Sequence, residues 1–213
     1  MSYNIQELML ALEKNNMKPF YAETKEEAYK ITESLIPEGA TVTHGGAMTL
    51  GECGILPLLK SGKYNYLDRS AAPTPEAVAE IYAKSATADV YLTSANAITK
   101  DGILYNVDGN SNRVSAIAFG PKSVICIVGV NKIVDTLQDA VERVRAIAAP
   151  KNTQRLNCPT YCREKGRCVK GPDAPMGEGC DSPGRICCNF LVSAQQRHKD
   201  RIKVIIVNEK LGY

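Results

Sequence analysis

The sequence SVICIVGV, at residues 123–130, is the continuous apolar run that decides the fold. A strand that is apolar along its whole length is covered on both faces, which is typical of the centre of a parallel sheet. Elsewhere, short apolar runs alternate with helical patterns, which predicts a largely parallel sheet in one doubly wound α/β domain. The other predicted strands lie at residues 40–43, 63–67, 89–93, 103–107 and 202–207, with a short extended piece at 19–22.

Four helices are indicated by apolar residues that recur every three or four positions. They are predicted at residues 4–15, 25–36, 75–86 and 134–148. Thr24 and Glu27 form a capping-box pattern at the start of the second helix, and Thr74-Pro75 opens the third. Residues 47–62 indicate a broken helix.

The composition is that of a globular protein with one sizeable core, because 44% of the 213 residues are hydrophobic and 23% are charged. Residues 1–16 lack a basic region followed by an apolar run, so we expect no secretory signal. No segment approaches the roughly 18 uninterrupted apolar residues that a membrane span needs, so we expect no membrane association. A cytoplasmic location is therefore the expectation.

Six of the eight cysteines fall in CPTYCREKGRCVKGPDAPMGEGCDSPGRICC, residues 158–188. Gly and Pro supply five of the nine residues at 171–179, which argues against regular secondary structure there. So long an irregular segment needs a cross-link, either a metal or disulfides. In a reducing compartment clustered cysteines favour a metal over disulfides or free thiols.

Positive charge is concentrated around these cysteines, with eleven Lys and Arg against five Asp and Glu at residues 151–203. A nucleic-acid surface is one interpretation, but the basic residues interleave with cysteines rather than with stacking aromatics. The preferred interpretation is that Arg163, Lys165, Arg167 and Arg185 offset the charge of metal-bound thiolates. Nucleic-acid binding is therefore not favoured.

Cysteine spacing alone does not identify the metal. Four thiolates suit tetrahedral zinc or an iron–sulfur cluster, but the pattern C-x3-C-x5-C-x11-C-x6-C-C lacks the paired knuckles of common zinc sites. It also lacks the closely spaced run of bacterial ferredoxins. Cys187 and Cys188 are adjacent, so in an extended segment their side chains point to opposite sides and one of them ligates.

A candidate anion site lies in HGGAMTLGE, residues 44–52, which leaves a predicted strand and enters a helix. Gly45 and Gly46 allow close backbone approach, Thr49 offers a hydroxyl, and Glu52 is the candidate catalytic acid or base. The alternative is a tight glycine turn with a solvated Glu52. Neither the phosphate-binding loop motif nor the dinucleotide fingerprint is present, so no nucleotide cofactor is expected.

A second polar stretch follows the next strand, in SANAITKDG at residues 94–102 and NVDGNSNR at 106–113. Ligands of open α/β sheets bind beyond the carboxyl ends of strands, where this stretch lies. Many of its Asn and Asp residues can instead form turns. Arg113 is the candidate anion clamp, with a surface salt bridge as the alternative. The candidate substrate-binding residues here are Asn96, Asp101, Asn106, Asp108, Asn112 and Arg113.

The remaining cysteines and the two histidines are weaker candidates for a functional role. Cys53 and Cys126 lie among apolar residues and are predicted to be buried in the core. His44 follows a strand and is a weaker candidate for a base or ligand, whereas His198 lies in a charged run and is expected to be solvated. Two histidines do not assemble a convincing Ser-His-Asp or Cys-His-Asn set.

Residues 89–134, DVYLTSANAITKDGILYNVDGNSNRVSAIAFGPKSVICIVGVNKIV, together with GGAMTLGECG at 45–54, resemble the LUD-domain family, named for lactate utilisation. The resemblance covers roughly residues 5–210. It implies the fold of the sugar-phosphate isomerase and CoA-transferase-like superfamily, a Rossmann-like three-layer α/β/α sandwich with a mostly parallel sheet. The two polar stretches would then form the small-molecule cleft.

The resemblance extends to a cysteine pattern carried by some family members. Cys162, Gly166-Arg167-Cys168, Cys180 and residues 182–187, SPGRIC, match its elements. The chain departs from it by inserting residues 171–179 and by carrying Cys158 as a further candidate. The predicted metal ligands are Cys162, Cys168, Cys180 and Cys187, with Cys158 or Cys188 as alternates.

These observations predict an α/β domain at residues 1–150 and 201–213 with a cysteine-rich metal-binding loop insertion at 151–200. The leading hypothesis is a protein that binds or acts on a small carboxylate or phosphorylated metabolite. The family also contains proteins associated with iron–sulfur lactate oxidation, so the resemblance implies an iron–sulfur cluster ahead of zinc and adds redox partner subunits. The alternative is a non-catalytic metalloprotein, either a zinc-stabilised scaffold or an electron-carrying subunit.

Overall fold

The computed structural model describes residues 3–213, and its strands form two sheets. The strands are β1 (Lys18–Ala22), β2 (Thr41–His44), β3 (Asn65–Tyr66), β4 (Val90–Thr93), β5 (Ala97–Thr99), β6 (Leu104–Asp108), β7 (Ser123–Gly129), β8 (Ile133–Val134), β9 (Asn189–Ser193) and β10 (Ile202–Val207). The main sheet has the order β1-β10-β7-β4-β2-β3, and every pair in it is parallel. The smaller sheet has the order β8-β5-β6-β9.

Helices cover both faces of the main sheet. They are α1 (Ile5–Lys14), α2 (Lys25–Leu35), α3 (Met48–Glu52), α4 (Ile55–Leu59), α5 (Pro75–Ser85), α6 (Asn112–Ala118), α7 (Leu137–Arg143), α8 (Ala149–Arg155) and α9 (Tyr161–Lys165). Strand β7 explains the layering, because Cys126 packs in one core with α1 and α6 while Ile125 and Ile127 pack in the other with α2, α3 and α4. The predicted three-layer α/β/α fold is confirmed.

The observed helix differs from the one predicted at residues 134–148, both in where it starts and in its helical geometry. Val134 belongs to β8, and the helix begins at Leu137 behind a capping box formed by Thr136 and Asp139. The apolar stripe included Val134 because a strand end and a helix start can share one spacing. After α7 the chain makes a π-helical turn, Val144–Ala148, and then continues as α8.

The cysteine-rich segment carries more regular structure than the sequence predicts. Helix α9 forms inside it with Thr160 as N-cap, and β9 pairs antiparallel with β6. The predicted boundary at residue 150 falls inside α8, which runs continuously from the domain into the segment. Among residues 3–213, no helix is both long and apolar enough to cross a membrane.

Candidate functional site

Four of the cysteines line one cavity between α7, α8 and the cysteine-rich segment. They are Cys162, Cys168, Cys180 and Cys187, the four residues predicted as metal ligands. The rest of the wall is largely apolar and includes Tyr105, Val144 and Phe190. The space is about 30 Å³, roughly twice what one water molecule requires. The fold therefore gathers the predicted thiols around a shared pocket, while their ligation of a metal stays a prediction.

The thiols in this cavity are free and partly desolvated. All eight cysteines of the chain are unpaired. Burial raises the pKa of Cys187 to about 12, and the neighbouring thiols of Cys162, Cys168 and Cys180 act in the same direction. Within the described residues, no group of three or more His, Cys, Asp or Glu side chains is drawn together closely enough to hold a metal ion.

Two arginines hold the loop around the cavity, and one of them was not anticipated. Arg185 lines the cavity and donates to the carbonyl of Cys187 at 2.9 Å and to that of Cys180 at 3.4 Å. Arg145, which is buried, also lines it. Its guanidinium donates to the carbonyl oxygens of Gly171, Ala174, Pro175 and Glu178 at 2.7–3.3 Å.

The interpretation that four basic residues offset thiolate charge receives support at only one of the four positions. Arg185 reaches the cavity, whereas Arg163, Lys165 and Arg167 are exposed and do not line it. Proximity in sequence was misleading because Arg163 and Lys165 lie on the exposed side of α9 and Arg167 is exposed just after it. The signal for Arg145 was a charged residue on an apolar helical stripe, which is unusual unless the charge has partners.

A larger cleft of about 620 Å³ lies at the carboxyl ends of the strands. Five of the predicted substrate-binding residues line it: Gly46, Asn96, Asp108, Asn112 and Arg113. Arg69, Lys132, Arg155 and Arg185 add positive charge to its wall. The position agrees with the general rule for ligands of open α/β sheets.

Arg113 organises the floor of this cleft. Its Nε donates to Asp108 Oδ1 at 2.9 Å, and its two terminal nitrogens donate to the side-chain oxygens of Asn96 and Asn106 and to the carbonyls of Ser94 and Val107. All five guanidinium N–H groups therefore have protein acceptors. The anion-clamp role stays a prediction, and an anion would have to displace one of these acceptors.

Asp108 joins this network to a helix. Its Oδ2 accepts from the backbone N–H of Arg113 at 2.9 Å and of Val114 at 2.8 Å, which satisfies two N–H groups at the start of α6. The short ion pair between Asp108 and Arg113, at 2.7 Å, is buried. The second Asp-Gly turn predicted from the sequence is thus also a helix cap.

The structure does not bring every predicted residue to the cleft. Asp101 lies in the turn between β5 and β6, beside α1, where its carbonyl accepts from Asn15. Glu52 is exposed, and its Oε2 accepts from the backbone N–H of Gly212 at 2.7 Å. Gly45 packs beneath the cleft, where an added Cβ would lie 3.0 Å from Arg113. The β5–β6 hairpin turns Asp101 away because its two strands run antiparallel.

Lys132 is the residue of the cleft that sequence reasoning missed. It follows β7 in a 3-10 turn, is only 3% exposed, and lines the cleft. Its Nζ lies 3.0 Å from Thr49 Oγ1 and 2.9 Å from Ser94 Oγ. Burial lowers its pKa to about 7, and the charge of Arg143 adds to that effect. The available signal was a lysine placed directly after the most apolar strand of the chain.

The core predictions for the isolated cysteines are confirmed. Cys53 is 3% exposed and Cys126 is 2% exposed, each within a hydrophobic core. His44 stacks on Tyr66, and burial lowers its pKa. His198 is exposed, as expected.

The thiol cavity and the cleft share one wall. Arg185 and Ile186 line both spaces. The next two residues face different spaces. Cys187 lines the cavity, whereas Cys188 lines the cleft together with Cys158. The two cysteines kept as alternates thus face the cleft and not the four-thiol cavity.

These features define a class of protein, a Rossmann-like α/β/α sandwich with a thiol-lined cavity behind a polar cleft. The model of the LUD domain family matches residues 5–207. The chain belongs to the LUD-domain family.

A solved structure that is similar over almost the whole of both chains agrees with this fold. The crystal structure of a DUF162 family protein from Deinococcus radiodurans has a TM-score of 0.53 and 17% identity, with 96% of each chain covered. Ribose 5-phosphate isomerase A from Neisseria gonorrhoeae has a TM-score of 0.35 and 18% identity, with 55% of this chain and 57% of that chain covered. No curated protein matches the sequence.

Proposed function

We propose that this LUD-domain protein binds a small carboxylate or phosphorylated metabolite in its cleft and holds a metal centre behind the cleft wall. The observation that carries the proposal is the shared wall, since Arg185 and Ile186 line both the four-thiol cavity and the cleft. A redox centre that shares a wall with the site of a bound metabolite suits a part in hydroxy-acid oxidation. The LUD family's association with lactate oxidation supports that direction.

The cleft is suited to anions because its walls carry cations and amide groups. Arg69, Lys132, Arg155 and Arg185 supply positive charge, and Asn96 and Asn112 supply hydrogen-bonding amides. Asp108 is the acidic residue among the lining side chains, and its ion pair with Arg113 neutralises its charge. The net field of the cleft therefore favours a negatively charged ligand.

Cys162, Cys168, Cys180 and Cys187 would hold the metal centre, with an iron–sulfur cluster as the first candidate. Such a cluster supplies one-electron transfer when it is bound. Two observations support this set: four unpaired thiols line one pocket, and Arg185 and Arg145 place positive charge beside them. The thiols would have to draw closer together to ligate a metal. Arg185 and Arg145 also keep the loop closed by bonding its carbonyl groups, so that the thiols stay on one side of the wall.

The second candidate function is a zinc-stabilised, non-catalytic protein. The small size of the pocket, about 30 Å³, favours a single ion over a cluster without movement of the loop. In that case the metal would stabilise the cysteine-rich segment, and the metabolite would bind without being oxidised here.

Metal analysis of anaerobically purified protein tests the metal proposal. Brown protein that bleaches with dithionite would support iron–sulfur, whereas colourless protein with stoichiometric zinc would support the scaffold. Cys187→Ser should abolish the binding of an iron–sulfur cluster or of zinc. Cys188→Ser, the matched substitution on the other side of the wall, should leave the metal content unchanged. Equal loss in both variants, or wild-type protein without metal after reconstitution, would contradict the ligand set.

Anion binding is tested separately by calorimetry with lactate, pyruvate and a sugar phosphate. Arg155→Gln removes a cation from the cleft and should weaken the binding of whichever anion the wild type takes. Arg197→Gln, on a distant basic surface, is the control. If none of the three anions binds, or if both variants bind as the wild type does, the cleft is not the anion site.

A further inference from the structure

The side chain of Lys132 is placed where three neighbouring strands of the main sheet end. Lys132 itself follows β7, Ser94 follows β4, and Thr49 lies at the start of the helix that follows β2. These strands are adjacent in the order β7-β4-β2, so their carboxyl ends deliver an amine and two hydroxyls to one point. The point lies in the wall of the cleft.

The amine has no acidic partner. Among residues 3–213, Lys132 forms no salt bridge, and both of its hydrogen-bond partners are neutral hydroxyls. Arg143 is the strongest of the charged groups that act on it, and Arg113 acts in the same direction, whereas Cys126 and Glu52 act in the opposite one. Burying an unpaired ammonium is costly, so this site favours the neutral amine, which carries a nucleophilic lone pair.

Access to the amine is limited to one side. Gly212 packs over it, and a Cβ added there would lie 3.2 Å from Nζ and 2.6 Å from Thr49 Oγ1. The N–H of Gly212 is held by Glu52, and its carbonyl accepts from Asn131. The remaining approach is from the cleft, which Lys132 lines.

We infer that Lys132 is a reactive amine that forms an imine with the carbonyl group of a small 2-oxo acid bound in the cleft. The inference rests on the proposed function in taking the cleft as a carboxylate site, and it deepens that function by naming the carbonyl compound as the ligand class. The arginines of the cleft wall would receive the carboxylate of the same molecule.

The reaction balances without an oxidant or reductant. The Nζ lone pair attacks the carbonyl carbon and gives a carbinolamine, and the carbonyl oxygen then leaves as water with the two protons lost from nitrogen. Thr49 and Ser94 are positioning residues in this step, since their hydroxyls hold Nζ and can pass a proton toward the departing oxygen. The product is a lysine imine, which borohydride reagents reduce to a stable amine.

The test is reductive trapping on the wild-type protein. Pyruvate and sodium cyanoborohydride are added at pH 7, and the adduct is mapped by peptide mass spectrometry over all sixteen lysines. Lys203 is an internal control, because burial lowers its pKa as well and it also bonds a serine hydroxyl, but it lies at the amino end of β10. We expect Lys132 to be modified at least about tenfold faster than Lys203, given its larger pKa shift.

Two outcomes would overturn the inference. Labelling of Lys132 no faster than that of Lys203 would show general lysine reactivity, and absence of an adduct at Lys132 would show that no imine forms. In the second case, calorimetric binding of pyruvate would leave the proposed function standing, whereas absence of pyruvate binding as well would count against the carboxylate cleft. Lys132→Arg keeps a cation at the site and should lose the adduct, while Ser94→Ala should slow its formation.

Discussion

Asp108 is the residue on which the polar floor of the cleft depends. Its carboxylate faces the buried guanidinium of Arg113 and caps the start of α6. Asp108→Ala would leave a buried cation without its counter-charge, which costs about 3–5 kcal/mol of unfolding free energy. Urea denaturation measures this loss.

A matched control for that substitution is the exposed pair of Lys122 and Asp89, at 2.8 Å. Lys122→Ala removes an ion pair that water screens, so it should change the free energy of unfolding far less. Similar losses in the two variants would mean that the Asp108–Arg113 pair does not anchor the floor of the cleft.

Lys132 should make the stability of the protein depend on pH above neutrality. Its pKa is about 7 in the folded chain and 10.5 in an ordinary environment. Between these values the unfolded chain binds the proton and the folded chain does not, so the free energy of unfolding rises with pH, by at most about 1.4 kcal/mol per pH unit. Below about pH 7 this gain is absent. Arg143, Arg113, Glu52 and Cys126 are the titratable groups that act on it.

The measurement compares the wild type with Lys132→Met in urea at several pH values from 6.5 to 9.5. Methionine cannot titrate, so the stability of the wild type relative to the variant should increase across that range. A constant difference would show that Lys132 has an ordinary pKa in the folded protein.

At the residue scale, the sequence indicated residues that belong to a recognisable pattern and missed those whose chemistry depends on burial. Cys162 and Cys187 are far apart in the chain, yet a cysteine pattern sufficed to place them in one cavity. Lys132 gave no comparable signal because a lysine after a strand is usually solvated, and its burial depends on Gly212, Thr49 and Ser94, which are distant in sequence. Arg113 was found, but its acceptors come from several turns whose arrangement the sequence does not reveal.

At the scale of secondary structure, the π-helical turn links the long helix to the cysteine-rich segment. The N–H of Ala149 bonds the carbonyl of Val144 in this turn, and the carbonyl of Arg145 accepts from the N–H of Cys168 at 2.9 Å. Pro150 follows directly and has no N–H to donate. A carbonyl within the irregular turn therefore accepts a hydrogen bond from the cysteine-rich segment and anchors it.

The side chain of Arg145 holds the same loop, so Arg145→Ala should release residues 171–178. It removes four hydrogen bonds from a charged donor, each of which contributes roughly 1.5–3 kcal/mol. Cleavage after Lys170 by trypsin should become at least about tenfold faster, because 1.4 kcal/mol already changes an opening equilibrium tenfold. Peptide mapping over time measures the rate.

Arg155→Ala is the control, since Arg155 lies on α8 and its hydrogen bonds go to Tyr213 and Asn152 rather than to the loop. Unchanged cleavage in Arg145→Ala, or an equal increase in both variants, would show that these hydrogen bonds do not hold the loop closed.

Helices were predictable where the apolar periodicity and the capping residues indicated the same start. The helices at Thr24 and Thr74 begin as predicted, because each cap residue accepts an N–H from the first turn. Strands β5 and β8 were not predicted, since two or three residues carry no period. The five-residue β9 was not predicted because its pairing with β6 depends on a partner distant in sequence. Helix α6 was taken for part of a polar loop because its first residues are Asn and Arg.

For the whole molecule, metal binding and sheet stability should be separable. The six-stranded sheet has two cores of its own, whereas the cysteine-rich segment packs on a third, smaller core around Tyr105 and Val144. Removing the proposed metal should therefore increase hydrogen exchange at residues 158–188 and leave β7 and β10 protected. Exchange measured by mass spectrometry with and without a chelator tests this expectation.

Global loss of protection after chelation would show that the segment and the sheet unfold as one unit. The same comparison on Cys187→Ser protein, without chelator, would separate metal loss from any direct effect of the reagent.

The position of β10 has a consequence for how the chain is made. β10 pairs with β1 on one side and β7 on the other, although its residues follow those of β7 by more than seventy positions. During synthesis β1 and β7 are therefore made long before β10, which lies between them. Their unpaired edges stay exposed until residues 202–207 leave the ribosome. Such late closure slows folding and leaves nascent chains open to pairing with one another, so chaperone dependence during expression is the expected practical result.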